Sequence, residues 1–404
     1  MAVSPRFVHP VFPHRVKGNG VHAFDRHFAT VRDVAAALQP SYPVYCLHLD
    51  EIRKQARAFL DAFPGRVLYA VKCNPHPQVL RVLYEQGVRH FDTASLSEVA
   101  LIRESYSDAN AYFMHPVKAR AAIQTAHEVY GVEHWVVDHK DELRKLAQEL
   151  PCRHGQAVFV RLATPNFRAA FQLSEKFGAR LEDAADLLRA VVKEGFQPGI
   201  AFHVGSQCRS PNAYRNALQM VRAVLEGAGV AIQFLDVGGG FPVHYEGDRP
   251  PPLNYFFTSI AEEVKNLPLR GDCVLMCEPG RSLVASGCSL LTQVQLRKEG
   301  QIYLNDGVYH SLSETLSSDI RYPVRLIRLS GHPSSDLEPF KVFGPTCDSS
   351  DVLPYQVLLP TNVREGDWVE FGQVGAYSNA MRTTFNGFYP ETFVTVKDDP
   401  LFAV

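Results

Sequence analysis

The sequence predicts an α/β protein in which a closed (β/α)8 barrel is followed by a mainly antiparallel β domain. Between about residues 42 and 280, short apolar runs alternate with amphipathic stretches, a pattern typical of parallel strands joined by helices. After residue 281, β-rich runs are separated by Gly, Pro and Asp turns, which favours antiparallel strands. A chain of 404 residues is too long for one ordinary core, so two domains are expected.

The first region contains several βα units. A helix is predicted over residues 77–86, because its apolar residues share one face and Gly87 is placed to end it. The first 40 residues have no such unit and are expected to pack with the second domain. This gives a barrel over 42–280 and a discontinuous β domain over 1–41 and 281–404. Further strands are predicted at 157–163, 200–206 and 232–240, and further helices at 181–195 and 213–229.

The composition argues against several classes of function. Hydrophobic residues make up 46% of the chain and the net charge is −2, so the basic excess of a nucleic-acid-binding protein is missing. Prolines and histidines interrupt the N-terminus, and no apolar run reaches membrane-spanning length. Neither a signal peptide nor a membrane segment is therefore predicted, and a cytoplasmic location is expected. The 8 cysteines form no CxxC pair and no Cys/His cluster, which favours reduced thiols and no bound metal.

One lysine, Lys72, lies in LYAVKCN (68–74) between an apolar β-type run and an Asn-Pro turn. A free lysine titrates near pH ~10.4, so a lysine that reacts as an amine needs desolvation, a cationic neighbour or a carbonyl cofactor. Taken alone, such a lysine is more often a solvated residue at a strand end. Its interpretation as a reactive amine therefore depends on motifs elsewhere in the chain.

Two glycine motifs at predicted strand ends supply that support. GGGFP (238–242) lets backbone N–H groups approach an anion, and it lacks the spacing of a dinucleotide site or a P-loop. EPGR (278–281) offers a guanidinium for a phosphate and a carboxylate as acceptor. Either motif alone is also consistent with a structural turn, but a phosphate site and a candidate amine on one barrel rim indicate pyridoxal phosphate. The residues that fall where apolar runs end are Lys72, Asp92, Arg161, His203, Gly238, Gly239, Gly240 and Glu278.

Ten sequence blocks occur in the order YAVKCNPHPQVL, FDTASLSEV, LSEKFGA, FHVGSQC, LDVGGGFP, CEPGRSLVA, YLNDGVY, GPTCDSSDVL, GAYS and FNGF. In this order, over roughly residues 42–390, they resemble the eukaryotic-type ornithine/lysine decarboxylase family. That family is related to diaminopimelate and arginine decarboxylases and has the alanine-racemase-like fold of type III pyridoxal phosphate enzymes. The resemblance therefore implies this fold, pyridoxal 5'-phosphate as cofactor, and amino-acid decarboxylation.

The resemblance also implies a role for each matching residue at the cofactor. Lys72 is expected to link to the cofactor aldehyde, with Asp92 held close to it. His203 is expected to stack on the pyridine ring, and Glu278 to face the ring nitrogen and keep it protonated. Arg161 matches a residue near the oxygen and nitrogen side of the ring. The residues expected to hold the phosphate are Ser206, Gly238, Gly239, Gly240, Gly280, Arg281 and Tyr377.

Two adjacent residues in GPTCDSSD, Cys347 and Asp348, are expected to act on the substrate. Cys347 matches the cysteine that returns a proton to the substrate carbon after carbon dioxide has left. Asp348 matches an acid that helps to bind the distal amine of a diamine-forming substrate, and Tyr377 and Phe385 are expected to line the same site. In the family the cysteine comes from the second subunit, so a homodimer with active sites at the interface is expected.

The sequence departs from the ornithine decarboxylase pattern where the distal group of the substrate is expected. After YLNDGVYHSL, the Tyr-Asp pair of the family falls on Ser317 and Ser318, with Asp319 next and Arg321 beyond it. A one-residue shift would let Asp319 bind a distal amine, whereas loss of the acid at Ser318 and a nearby Arg321 would suit a distal carboxylate. The pair Asp319 and Arg321 is also consistent with a solvated loop.

Three functions remain open from the sequence. The first is decarboxylation of a basic amino acid, L-ornithine or L-lysine, to a diamine in polyamine-type metabolism. The second is the same reaction on a modified or carboxylate-bearing amino acid in a specialised pathway. The third is a catalytically silent binding protein similar to the antizyme inhibitors, against which the presence of Lys72, Glu278, Arg281 and Cys347 argues. A racemase on the same fold fits the Cys-Asp block less well.

Overall fold

The computed structural model describes residues 26–165, 169–171 and 176–402 of the chain. Within these residues the chain forms a closed eight-stranded barrel and a mixed, mainly antiparallel sheet of nine strands. Residues 1–25, which were expected to join the second domain, and residues 173–175 of the LSEKFGA block lie outside the described residues. Among the helices that are described, none combines the length and the apolar character needed to cross a membrane.

The described chain begins in the second sheet and not in the barrel. Strand β1 (His27–Phe28) is followed by helix α1 (Val31–Leu38) and by β2 (Val44–Leu47), which pairs with two strands of the second sheet. The barrel unit therefore begins with helix α2 (Leu49–Ala62), whereas the sequence prediction placed its start at residue 42. All of β2 is buried, and an apolar strand before an amphipathic helix has the pattern of a βα unit, so periodicity alone could not separate them.

The barrel strands run parallel, and the ring closes where β12 (Val274–Cys277) pairs with β3 (Arg66–Ala70). Apolar side chains such as Phe159 and Met276 fill its interior, and a larger apolar layer separates the strands from the outer helices. The strands between these two are β4 (His90–Thr93), β5 (Asn110–Phe113), β6 (His134–Val137), β7 (Ala157–Leu162), β8 (Ala169–Phe171), β9 (Gln197–Phe202), β10 (Ser206–Cys208) and β11 (Phe234–Asp236), of which β8 and β10 pair only with each other.

Helices follow most of the barrel strands, and the three helices predicted at 77–86, 181–195 and 213–229 are confirmed to within two residues at each end. Pro77 occupies the first turn of α3, where its missing N–H costs no hydrogen bond. Gly229 ends α8 in a left-handed conformation with φ of 63°. The helices are α3 (Pro77–Glu85), α4 (Leu96–Ser105), α5 (Arg120–Glu128), α6 (Lys140–Glu149), α7 (Leu181–Lys193), α8 (Asn212–Ala228), α9 (Leu253–Val264) and α10 (Arg281–Val284).

The second sheet is built around one long strand, β13 (Cys288–Lys298), which pairs with strands on both of its edges. Buried side chains of α1, β2 and β13 form a separate small core with strands near the C-terminus. The remaining strands are β14 (Gln301–Leu304), β15 (Val324–Ile327), β16 (Leu337–Phe343), β17 (Val357–Pro360), β18 (Trp368–Phe371) and β19 (Thr392–Val396).

A loop of the second domain is fastened to the rim of the barrel at Gly375. Its N–H donates to Ala285 O at 2.9 Å, and its carbonyl accepts from Asn74 Nδ2 at 2.8 Å. A Cβ at this position would lie 1.8 Å from Val284 O. Only glycine therefore allows the two domains to approach this closely.

We expect Gly375→Ala to lower the free energy of unfolding by about 2 kcal/mol or more, because the added methyl group overlaps a backbone oxygen. Urea unfolding followed by circular dichroism measures the loss. The matched control is Gly300→Ala, where a Cβ would have no neighbour within 4 Å. Equal stability of the two variants would contradict the close approach of the loop.

Candidate active site

The amine of Lys72 lies at the C-terminal rim of the barrel, next to a buried acid. Strand β3 ends at Ala70, and the 3-10 turn Val71–Cys73 that follows carries Lys72. Because Ala70 is in register with Asp92 on β4, Lys72 Nζ lies 2.5 Å from Asp92 Oδ2. Asp92 is buried, whereas the side chain of Lys72 is 40% exposed. The amine is therefore partly exposed at the rim and is not part of the packed core.

Three carboxyl groups interact with this lysine. Burial by itself would lower the pKa of Lys72, but Asp92 and Glu278 raise it above its ordinary value. Burial and repulsion from Asp92 and Asp236 raise the pKa of Glu278, and burial raises the pKa of Asp236 to about 7. Within the described residues, Asp92 Oδ1 has no hydrogen-bond partner. The site has an excess of acidic groups, which suits a ligand with a cationic or protonated nitrogen.

His203, which follows β9, presents a neutral imidazole at the same rim. Burial and the nearby charges of Arg161 and Lys72 hold the pKa of His203 well below its ordinary value. Gly205 N donates to His203 Nδ1 at 3.0 Å, so the single ring proton lies on Nε2. Arg161 ends β7 one strand away, in register with Ala201. A flat, uncharged ring held in this way is suited to cover one face of an aromatic ligand.

The triple glycine after β11 forms a tightly packed turn beside His203. Gly238 and Gly240 adopt left-handed conformations with φ of 66° and 99°. A Cβ at Gly238 would lie 2.1 Å from Phe202 O, and a Cβ at Gly240 would lie 2.2 Å from Gly205 O. Tyr214 Oη holds the turn from behind by donating to the carbonyl of Gly239 at 2.8 Å. Such a turn leaves backbone N–H groups unobstructed for an anion.

Arg281, at the start of α10, is buried and almost fully engaged by protein acceptors. Nη1 donates to Tyr245 Oη at 2.9 Å and to Glu314 Oε2 at 2.8 Å. Nη2 donates to Ser206 Oγ at 3.2 Å and to the second oxygen of Glu314. Gly280 lets this turn pack on the lysine turn, since a Cβ there would lie 2.9 Å from Cys73 Cβ.

Tyr377 reaches the site from the second domain. Its N–H donates to Cys73 O at 2.9 Å, and the Arg281 guanidinium carbon lies 5.2 Å from the centre of its ring. The residue has φ of 54°, which is strained for a side chain other than glycine and is held here by the surrounding contacts. Tyr377 therefore connects the arginine side of the site with the turn that carries Lys72.

The structure brings most of the predicted cofactor residues to one rim. Sequence reasoning missed three further residues there: Asp236, Tyr245 and Glu314. An isolated acid at the end of an apolar run was the available signal for Asp236, whereas nothing distinguished Tyr245 or Glu314. The predicted residues that meet at the rim are Lys72, Asp92, Arg161, His203, Ser206, Gly238, Gly239, Gly240, Glu278, Gly280, Arg281 and Tyr377.

Cys347 and Asp348 do not lie at this rim within one chain. They line a separate cavity of about 1180 Å³ whose lining residues include none of the barrel strands. Cys347 is exposed, and its backbone N–H donates to Asn386 Oδ1 at 3.1 Å. Tyr309 Oη donates to Asp348 Oδ2 at 2.7 Å, and the ring of Phe385 lies 5.1 Å from that of Tyr309.

The segment that departs from the ornithine decarboxylase pattern borders another cavity, of about 600 Å³. Ser318 Oγ donates to the carbonyl of Glu314 at 2.8 Å and so closes the end of a 3-10 turn. Asp319 accepts two hydrogen bonds from Arg209 Nη2, at 2.8 and 2.9 Å. Arg321 lies over the Tyr355 ring at 5.6 Å. The acid predicted as the alternative amine ligand is therefore already paired with an arginine.

The chain is similar to known proteins over most of its length. Residues 49–285 match the family described as "Pyridoxal-dependent decarboxylase, pyridoxal binding domain". The chain is 32% identical to a lysine/ornithine decarboxylase of Selenomonas ruminantium, over 89% of this chain and 91% of that protein. It is also 33% identical to antizyme inhibitor 2 of Xenopus laevis, over 84% of this chain and 77% of that protein.

Solved structures agree with the sequence matches. The lysine/ornithine decarboxylase of Vibrio vulnificus in complex with cadaverine superposes with a TM-score of 0.78 at 33% identity, over 92% of this chain and 100% of the other. The arginine decarboxylase of Paramecium bursaria Chlorella virus bound to agmatine gives a TM-score of 0.80 at 27% identity, over 91% and 98%. Both matches extend over more than nine-tenths of this chain, so they include the barrel and the second sheet.

We expect Asp236→Asn to change how stability depends on pH. Asp236 has a folded pKa of about 7 against about 3.9 when unfolded, so the folded state keeps a proton that the unfolded state has released. This acid therefore becomes increasingly destabilising as the pH rises from about 4 to about 7. Relative to the parent protein, the variant should therefore lose less unfolding free energy as the pH rises from 5 to 8, by about 1 kcal/mol or more.

Urea unfolding of the cofactor-free proteins at both pH values measures this difference. Asp61→Asn, at an exposed position of α2, is the matched control and should follow the parent protein. The same pH dependence in Asp236→Asn and the parent would contradict the raised pKa of Asp236.

Proposed function

The chain belongs to the pyridoxal phosphate-dependent amino-acid decarboxylases, and from this premise we propose that it converts a basic amino acid, L-ornithine or L-lysine, to a diamine. The single observation that carries the proposal is the amine of Lys72, which lies 2.5 Å from Asp92 and is partly exposed at the barrel rim. Relatives that act on lysine and ornithine make a role in polyamine-type metabolism the natural setting.

The residues at the rim fit pyridoxal phosphate. When bound, the cofactor supplies a pyridine ring that accepts the electron pair left behind as the carboxyl group departs. Glu278, whose pKa is raised by burial and by Asp92 and Asp236, would face the ring nitrogen and share a proton with it. His203 would cover one face of the ring with a neutral imidazole, and Arg161 would lie beside it. The residues that would hold the phosphate are Ser206, Gly238, Gly239, Gly240, Gly280, Arg281 and Tyr377, with Arg281 acting through its hydrogen bond to Ser206.

Lys72 would provide the amine to which the cofactor is attached. In the structure it is held as an ammonium by Asp92, so it must lose a proton before it can react. Asp92 Oδ2, 2.5 Å away, is the nearest acceptor for that proton. The pair therefore keeps the amine in place and holds its proton while the substrate enters.

A homodimer completes the site. The cavity around Cys347 lies beside an exposed apolar patch, and exposed patches of this kind are commonly buried in subunit contacts. In a two-fold dimer, Cys347 of one subunit faces Lys72 of the other and returns a proton to the substrate carbon. Asp348 then lies at the distal end of the substrate. The exposed residues of the patch are Met381, Phe385, Phe388 and Tyr389.

A carboxylate-bearing substrate is the second candidate. Ser318 replaces the acid of the ornithine enzymes, and Asp319 is already paired with Arg209. Arg321, in contrast, has no ion pair within the described residues and borders the neighbouring cavity. A silent antizyme-inhibitor-like protein would have no use for the Lys72–Asp92 pair, so this third alternative has less support.

The substrate prediction is tested by carbon dioxide release from the cofactor-loaded protein. We expect turnover of L-ornithine or L-lysine, because Asp348 can pair with a distal ammonium group. The panel also contains L-arginine, diaminopimelate, the D-amino acids and acylated or carboxylated analogues of ornithine and lysine. Turnover of the carboxylated analogues alone would favour the second candidate. No release from any compound, with the visible absorbance of the bound cofactor intact, would contradict decarboxylation.

The shared site is tested by mixing two inactive variants. Lys72→Ala should lose both activity and the visible absorbance of the linked cofactor, and Cys347→Ala should release carbon dioxide but form little diamine. Mixed dimers contain one site with both residues intact, so we expect the mixture to regain diamine formation. Cys152→Ala, another exposed cysteine, is the matched control for thiol loss. A mixture no more active than its components would contradict a site shared between subunits.

A further inference from the structure

A buried acid, Glu314, lies next to Arg281, where the anionic cofactor phosphate is proposed to bind. A carboxylate and a phosphate at such a site would ordinarily repel each other. It belongs to the 3-10 turn Ser313–Leu316 of the second domain. Its carboxylate spans both terminal nitrogens of Arg281, and the two side chains are each only 3% exposed. The proposed phosphate site thus contains a buried ion pair and not an isolated cation.

The hydrogen bonds of Arg281 indicate how its guanidinium group positions its neighbours at the proposed phosphate site. Nη1 and Nη2 each donate to Glu314, and their other hydrogens go to Tyr245 Oη and Ser206 Oγ. Arg281 itself is buried, whereas Ser206 is half-buried and open to the rim. The Ser206 oxygen accepts from Arg281, so its own hydroxyl hydrogen is directed elsewhere.

We propose that Glu314 is a positioning residue for the cofactor phosphate. It fixes the plane of the Arg281 guanidinium, which in turn holds the Ser206 hydroxyl so that it donates to a phosphate oxygen. This inference rests on the proposed placement of the phosphate at Gly238–Gly240 and Arg281. It assigns to the second domain a direct part in building the phosphate site of the barrel.

Removing the Glu314 charge has two effects of opposite sign on the affinity for phosphate. The direction of the measured change therefore tests the proposal. A carboxylate near a phosphate dianion repels it, so loss of the charge alone would strengthen phosphate binding. Loss of the bidentate contact frees Arg281 to rotate and leaves Ser206 unoriented, which weakens phosphate binding. A weaker phosphate contact in Glu314→Gln can therefore arise only from lost positioning.

The experiment compares pyridoxal phosphate with pyridoxal, which lacks the phosphate, in protein freed of cofactor by dialysis. We expect Glu314→Gln to bind pyridoxal phosphate roughly tenfold or more weakly, the effect of one hydrogen bond to a charged group, while its affinity for pyridoxal stays unchanged. Glu338→Gln is the matched control, because it breaks a partly exposed acid–arginine pair, with Arg297, in the second sheet. Its affinity for both compounds should equal that of the parent protein.

The remaining outcomes overturn the proposal in distinguishable ways. Unchanged or tighter binding of pyridoxal phosphate by Glu314→Gln would show that its charge, and not its positioning, matters. Equal weakening for both compounds would show a general structural role. If Arg281→Ala keeps the parent preference for pyridoxal phosphate over pyridoxal, the placement of the phosphate is itself wrong.

A double variant tests the route through Ser206. If Glu314 acts by orienting the hydroxyl, then Ser206→Ala with Glu314→Gln should bind pyridoxal phosphate no more weakly than Ser206→Ala alone. Additive losses would overturn this route. Circular dichroism of each variant confirms that the comparison is made between folded proteins.

Discussion

The arrangement of the site depends on one electrostatic constraint, which is that a single lysine shares the barrel rim with three acids. Asp92, Asp236 and Glu278 cannot all carry a charge beside one ammonium group without a large cost. The folded protein meets this by raising the pKa of Asp236 and Glu278. A ligand that brings a protonated nitrogen relieves the same repulsion, so the ground state of the protein is prepared for its cofactor.

The second domain takes part in this site and does more than cover it. Tyr377 reaches the turn that carries Lys72, and Glu314 holds Arg281 from the opposite side. The first contact joins the second domain to a barrel turn, and the second joins it to α10, which connects the last barrel strand with β13. The barrel alone would keep the lysine and its acids, but it would lack the groups that fix the arginine and brace the lysine turn.

The sequence predicts the barrel half of the site well and the contribution of the second domain poorly. Residues such as Lys72 and His203 follow apolar strands, and in a parallel barrel all strand ends meet at one rim, so their proximity follows from topology. Glu314 contacts Arg281 only because two domains pack in one orientation, which no local pattern encodes. The same limit explains β2, whose apolar run matches a barrel strand although its partners are β13 and β19.

The hydrogen bond from Asn74 Nδ2 to Gly375 O joins residues 301 positions apart, and this separation has a consequence for synthesis. A chain emerging from the ribosome carries the lysine early, but the loop that braces the lysine turn is made near the end. Contacts of such long range form late in folding. The turn that carries Lys72 therefore gains this hydrogen bond only after the chain has been extended by a further 301 residues beyond Asn74.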